Sequence, residues 1–223
     1  MASEPLAASW LGVVPYQEAA ALQRWVHDDV RAGRRGHTLL LLEHPPVYTL
    51  GRRGGREHIH LTANELSDLG VEVVETDRGG LVTFHGPGQL VAYPIVHLGR
   101  MRRSLGWYIQ RLLEATAATA QELGIPGAAV DRDRPGVWVG ERKLASVGVR
   151  LTEGATLHGV ALNLDVDLAW FHRMSPCGLA VEATSVTGEG APPVSAACAG
   201  TLLHGHLALA LGLPRGPDHL EFT

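Results

Sequence analysis

Cysteine is scarce in this chain: two thiols, Cys177 and Cys198, stand in 223 residues. They lie far apart and form no Cys-x-x-Cys pair, which excludes a disulfide framework. A surplus of positive charge is also missing. The net charge is −4, so electrostatics make no case for nucleic acid or for an acidic membrane surface. Long apolar runs are lacking too, and the longest, 38–42 and 90–98, are too short to cross a bilayer. Residues 1–10 have neither a basic n-region nor a long apolar h-region, so no signal peptide is expected. A cytoplasmic protein with no membrane contact is the expectation. There is no internal repeat, no low-complexity segment and no shift in composition. A single domain over 1–223, ending in a tail at 214–223, is therefore expected, as a monomer. Twelve histidines raise the question of metal. His58 and His60 would share a face only if extended, and His204 and His206, two apart in a helix, do not face each other. No His-Glu-x-x-His or cysteine–histidine ligand set is present, so neither a metal nor a cofactor is expected.

What is present is an ordinary globular mix, 45% hydrophobic and 19% charged, long enough for a substantial core. Helical spacing predicts helices over 17–32, 63–69, 104–123 and 194–211. Leu22, Val26 and Val30 share a face of the first, and Gly33, Gly70 and Gly124 are stop signals. Ser104 is a candidate N-cap. Strands are predicted at 38–43, 47–50, 71–75, 81–85, 90–96, 136–139, 143–150 and 156–164, with a helical turn at 167–172. Pro94 inside the strand 90–96 suggests an edge or a bulge. In the last helix Ala197, Cys198, Thr201, Leu202, Gly205 and Leu209 are expected toward the core. Groups of consecutive strands between helices indicate an α+β fold: a mixed, mostly antiparallel sheet flanked by helices.

Four segments carry candidate chemistry. At 78–89, four glycines and a proline bracket a short strand that ends in His85. Glycine lets backbone N–H groups approach a ligand, and Arg78 and His85 bring polar tips to the same region. A hairpin whose glycines merely turn the chain explains the same pattern. At 136–150, Lys143 begins an apolar strand on the same face as Ala145 and Val147; an isolated lysine there reads as a surface charge. His158-Gly159 opens a further strand, and alone it reads as a structural histidine. Cys177 sits between Pro176 and Gly178, a turn that can present a thiol, although free cysteine is often simply buried. Cys198, among alanines, reads as core. The basic turn at 51–56 lacks the Gly-Lys-Ser/Thr ending of a phosphate loop and reads as exposed. It could also contact an acidic carrier protein.

In combination these segments resemble the octanoyl-carrier-protein:protein octanoyltransferases of lipoate synthesis. The matching blocks are 43–52, RGGLVTFHGPGQ at 78–89, 135–139, 143–150, 158–163 and Pro176-Cys177-Gly178, in that order over 40–180. Phe84 stands where the family usually has tyrosine, which removes one hydroxyl. The resemblance implies the fold of the biotin and lipoate protein ligase catalytic domains. It also implies a Cys177 nucleophile paired with Lys143, whose ammonium would favour the thiolate and shuttle protons. Octanoyl-acyl carrier protein would be the donor. The acceptors would be apo lipoyl domains of 2-oxoacid dehydrogenase E2 subunits and the glycine cleavage H protein. Arg78, Gly79, Gly80, Leu81, Val82, Thr83, Phe84 and His85, then Ser146, Val147 and Gly148, then Gly159, Val160 and Ala161 would line the acyl site. Backbone N–H groups near Gly148 or Cys177 are candidates for an oxyanion hole. Two other readings remain: an ATP-dependent lipoate or biotin ligase, which needs ATP but not Cys177, and a non-catalytic carrier-binding module, which needs neither Cys177 nor Lys143.

Overall fold

A computed structural model describes residues 4–175 and 181–218. The element order is β1 (Ala7–Val13), α1 (Tyr16–Ala32), β2 (Thr38–Glu43), β3 (Val47–Leu50), α2 (Ala63–Asp68), β4 (Glu72–Glu75), β5 (Val82–His85) and β6 (Gln89–Ile95). There follow α3 (Leu98–Met101), α4 (Leu105–Glu122), β7 (Ala128–Val130), β8 (Val137–Val139), β9 (Arg142–Thr152), β10 (Ala155–Asn163), α5 (Ala169–His172) and α6 (Ala196–Leu211). Seven strands form one sheet in the order β1-β2-β6-β10-β9-β8-β7, and β4-β3-β5 form a second. Among the described strands, only β1–β2 and β3–β4 pair in parallel. This is the expected α+β architecture.

The continuous apolar runs of β2 and β6 are explained by burial on both faces. Leu39 and Leu41 of β2, with Leu90 and Ala92 of β6, join the main core beneath α4 and α6. Leu40 and Leu42, with Val91, Tyr93 and Ile95, face the other way and pack on Ala19, Val26 and Val30 of α1. Each fully buried leucine contributes roughly 1.5–3 kcal/mol relative to exposure. The helix ends follow their sequence signals. Ser104 Oγ accepts from Trp107 N–H, and Thr62 with Glu65 completes a capping box at α2. Gly33, at φ 75°, closes α1 with its N–H on the carbonyls of Asp29 and Val30. The small sheet has its own core, in which Tyr48, Val82, Phe84 and Phe171 meet.

The strands β1 and β7 are unforeseen; the β1 segment AASWLGV is neither a clean apolar run nor an alternation, and β7 is only three residues long. Pro94 is not on an edge, because β6 lies between β2 and β10. It is tolerated there because β10 pairs with β6 only as far as Val160↔Ala92. Beyond that point His158 takes φ 59° and Gly159 gives way: a Cβ at Gly159 would stand 2.0 Å from the Ala92 carbonyl oxygen and 2.8 Å from Pro94 Cδ. The face of α6 is also misjudged. Ala199, Gly200, Leu203, His204 and Leu207 are buried, whereas Cys198 is exposed and Leu209 is 80% exposed. The helix is apolar on nearly all sides, so its pattern sets no phase. The buried face is set by Gly200 against Leu41 and by His204, which joins the Leu6 carbonyl (2.7 Å) to the Asp218 carboxylate (2.6 Å).

Candidate active site

A cavity of about 350 Å³ lies between the α1 side of the large sheet and the small sheet. Its walls come from β5, β6, β9 and β10, with Tyr16 at the head of α1 and Phe171 and Met174 near α5. Of the residues expected at the acyl site, all but Gly79 and Phe84 line it: Arg78, Gly80, Leu81, Val82, Thr83, His85, Ser146, Val147, Gly148, Gly159, Val160 and Ala161. Phe84 faces the small-sheet core, stacked on Trp170 at 5.0 Å between ring centroids, where a tyrosine hydroxyl would enter an apolar cluster. Cys177 lies outside the described residues. The chain on either side of that gap lines the same cavity, through Met174 before it and Val181 and Ala183 after it.

Lys143 also lines the cavity. A bulge between β8 and β9, where Val137 opposes Ala145 and Trp138 opposes Lys143, breaks the alternation. Leu144 and Ala145 both enter the main core, so Lys143 shares the cavity wall with Ser146 and Val147 and not with Ala145. Its Nζ stands 5.2 Å from the Trp138 ring centroid, a cation–π distance. Gly136 makes room for it: a Cβ there would meet Lys143 Cε and the Ala145 carbonyl oxygen, each at 2.7 Å. The Lys143 backbone is held on both sides by the incoming chain. Its N–H donates to the Glu182 carbonyl (2.8 Å), and its carbonyl accepts from Thr184 N–H (2.9 Å).

Glycines from three segments, Gly80 of 78–89 with Gly51 and Gly148, pack against Arg78. A Cβ at Gly51 would come within 2.8 Å of Arg78 Nη1, one at Gly80 within 3.4 Å, and one at Gly148 within 3.1 Å of Arg78 Cδ. Three separate segments thus stay bare around one buried guanidinium. His85 is fixed by a chain of amides. Gln89 Nε2 donates to Asn163 Oδ1 (2.9 Å), so Gln89 Oε1 accepts from His85 Nδ1–H (2.7 Å). Burial, with His44 nearby, pushes His85 down to about 3. His44 donates from Nδ1 to the Val14 carbonyl (2.6 Å) and accepts from the Tyr93 hydroxyl at Nε2 (2.8 Å); burial brings it down to about 4. Both imidazoles are therefore neutral near pH 7. Tyr16 and Tyr93 reach the cavity without having been anticipated. They sit in unrelated segments, and only folding brings them together. His158 holds Asp77 through Nε2 (2.6 Å). Burial lowers its pKa despite that carboxylate, and its positive φ is a local strain.

The fold defines the class first. Superposition on the bi-partite lipoate protein ligase of Thermoplasma acidophilum gives a TM-score of 0.69 over 99% of this chain and 88% of that one, at 16% identity. Lipoate-protein ligase A bound with ATP gives 0.68 over 98% and 90%, at 15% identity. The biotin protein ligase of Aquifex aeolicus gives 0.52 over 92% and 69%, at 13% identity. This is the catalytic fold of lipoate and biotin protein ligases. Sequence comparison is more specific. The lipoyl protein ligase A/B catalytic domain matches residues 15–205. The octanoyltransferase of Syntrophotalea carbinolica is 46% identical over 76% of each chain. The mitochondrial octanoyl-[acyl-carrier-protein]:protein N-octanoyltransferase of Xenopus tropicalis is 46% identical over 80% of this chain and 76% of its own. The chain belongs to the lipoyl protein ligase A/B catalytic domain family and, within it, to the octanoyltransferases, which are acyltransferases.

Proposed function

We propose that the chain moves an octanoyl group from acyl carrier protein to a lysine of an apo lipoyl domain, through a thioester on Cys177. The acceptors are the lipoyl domains of 2-oxoacid dehydrogenase E2 subunits and the glycine cleavage H protein. The observation that carries this reading is Lys143: an amine in the wall of a mostly apolar cavity, stitched by two backbone hydrogen bonds to the chain that follows Cys177. Covalent geometry keeps the Cys177 Cα within about 8 Å of Ser175, next to the cavity-lining Met174.

In the first half-reaction the Cys177 thiolate attacks the thioester carbonyl, the carrier's C–S bond breaks, and the carrier thiolate takes a proton from Lys143. In the second, the acceptor lysine, after losing one proton to solvent, attacks the enzyme thioester. A C–N bond forms, the Cys177 C–S bond breaks, and the remaining amine proton returns through Lys143 to the sulfur. Thioester exchange is nearly neutral and amide formation is downhill, so no nucleotide is consumed. Burying the seven apolar carbons of the acyl chain contributes on the order of 5 kcal/mol. Arg53, exposed and at the edge of the cavity, suits an acidic donor.

The test is to mix the protein with octanoyl carrier protein, without ATP, and weigh it intact. Because Cys198 is exposed, a Cys198→Ser background removes the second thiol. An octanoyl adduct that disappears in Cys177→Ser is expected; no adduct on the Cys177-containing protein would overturn the reading. Lys143→Ala should slow acylation and raise the pKa of the thiol, read by its titration.

A further inference from the structure

The chain that follows Cys177 returns at the end of a strand ladder. β9 and β10 stop pairing at Ala145↔Leu162. Past that point residues 182–187 bond to both strands. Lys143 takes Glu182 and Thr184 on the β9 side, and the carbonyls of Asn163 and Leu164 accept from Val186 and Thr187 N–H, each at 3.0 Å, on the β10 side. One buried side chain joins this pattern. Asn163 Nδ2 donates to the Thr184 carbonyl (2.8 Å). Thr184 is therefore held through its N–H by Lys143 and through its carbonyl by Asn163.

That bond sets the direction of every link behind it. A backbone carbonyl only accepts, so the Asn163 amide nitrogen faces Thr184 and its oxygen faces Gln89. Gln89 Nε2 meets that oxygen (2.9 Å) and a second carbonyl, that of Phe84 (3.2 Å). Its Oε1 is then left to accept from His85 Nδ1–H (2.7 Å). With the neutral ring protonated on Nδ1, the lone pair lies on Nε2. That nitrogen faces the Thr49 hydroxyl at 3.5 Å, the longest link. Thr49 Oγ1 accepts from Arg78 Nε (3.1 Å) and Nη2 (2.8 Å), so its own proton turns to His85. All donors thus point one way: from Arg78 through Thr49, His85, Gln89 and Asn163 to Thr184, and from Thr184 N–H on to the Lys143 carbonyl. Hydrogen bonds in such a chain polarise one another.

We propose that Asn163 and Gln89 are positioning residues: their paired amides hold the chain after Cys177 against Lys143 and so set the thiol–ammonium geometry on which acyl transfer depends. The inference rests on the Cys177 reading above. Asn163 lines the cavity, so a change there also touches the ligand's surroundings. Gln89 is 1% exposed and is not among the described residues of the cavity wall. It reaches His85, Asn163 and the Phe84 carbonyl. Its influence on the reaction passes through them.

The test uses the whole protein on the Cys198→Ser background. Gln89→Met keeps the length of the side chain and removes the amide. It is expected to lower kcat for octanoyl transfer at least about tenfold while KM for the donor stays within about twofold. The pH midpoint for alkylation of Cys177 by iodoacetamide should rise by about one unit. Gln89→Glu is the conservative partner. While protonated, its O–H still donates to Asn163 and its carbonyl still accepts from His85. Once ionised it only accepts, and the Asn163 amide turns away from Thr184. Of the groups facing this position, His85 and His44 are neutral near pH 7 and Arg78 is a cation. The kcat of Gln89→Glu should therefore approach the wild type at about pH 6 and fall to that of Gln89→Met by about pH 9. Should neither variant fold, the wild type decides, because NMR of its imidazoles should find the His85 proton on Nδ1. A proton on Nε2, an unchanged kcat in Gln89→Met, or a loss carried wholly by KM would overturn the proposal. An absence of octanoyl adduct on the wild type sinks the Cys177 reading, whereas the tautomer is read with neither donor nor thiol.

Discussion

Acidification should unfold this protein through His44 and His85. An imidazole ionises near 6.5 in an unfolded chain. In the folded protein burial brings His44 to about 4 and His85 to about 3. Between those values only the unfolded state takes up the proton. Both folded-state values are depressed, so stability is complete above 6.5 and falls as the pH drops toward 4 and then 3. At about pH 5 each histidine costs roughly 1.5 units × 1.36, or about 2 kcal/mol, and the pair about 4 kcal/mol. Both side chains are almost wholly buried, so solvent screening takes little from this. The assay is urea unfolding at pH 8, 6.5 and 5. With a slope of roughly 2–3 kcal/mol per molar, the midpoint should fall by roughly 1.3–2 M across that range. His44→Gln supplies the control, because an amide can still serve the Val14 carbonyl and the Tyr93 hydroxyl but does not titrate. Its pH-dependent loss between pH 8 and 5 should be about 2 kcal/mol smaller than that of the wild type. A midpoint that stays level from pH 8 to 5, or parallel losses in wild type and His44→Gln, would refute the reasoning.

Three substitutions probe other points. Gly159→Ala forces a methyl to 2.0 Å from the Ala92 carbonyl and should cost at least about 3 kcal/mol in urea unfolding; a cost below 1 kcal/mol would show that β10 can move away from Pro94. Gly136→Ala presses on Lys143 Cε from 2.7 Å, so acylation measured by intact mass should slow by roughly tenfold or more while the circular dichroism spectrum is retained. Wild-type rates would mean that the lysine is not held there for the chemistry. His204→Ala removes the bonds to Leu6 and Asp218 and should cost roughly 2–4 kcal/mol. It should also free residues 214–218 for limited proteolysis, and an unchanged digestion pattern would count against the clasp.

The sequence was most legible where one interaction dominated. The run at β2 reads as a buried strand, and Ser104 reads as an N-cap once the spacing of Leu105, Ile109 and Leu112 is seen. It was illegible where the partner decides. β1 is a strand because Thr38–Glu43 offers it an edge. Pro94 stands mid-sheet because Gly159 yields to it, and Cys198 is exposed because Gly200 and His204 orient α6. The candidate site divides along the same line. Its contiguous segments, 78–85, 146–148 and 159–161, could be read as blocks. Tyr16, Tyr93 and Met174 are single residues in separate elements, and nothing local marks them as cavity walls.

Arg78 and its surroundings form a single unit of inheritance. Gly51 and Gly148 come from distant stretches of chain, yet a methyl on either would meet both Arg78 and a carbonyl of the loop that carries it, Gly80 O at 2.6 Å and Gly79 O at 2.9 Å. Gly80 is held by its own φ of 96° as well. Exchanging Arg78 alone would therefore free none of these positions. Only a shift of the 78–80 loop would, so the arginine, its loop and the two distant glycines are constrained to change together.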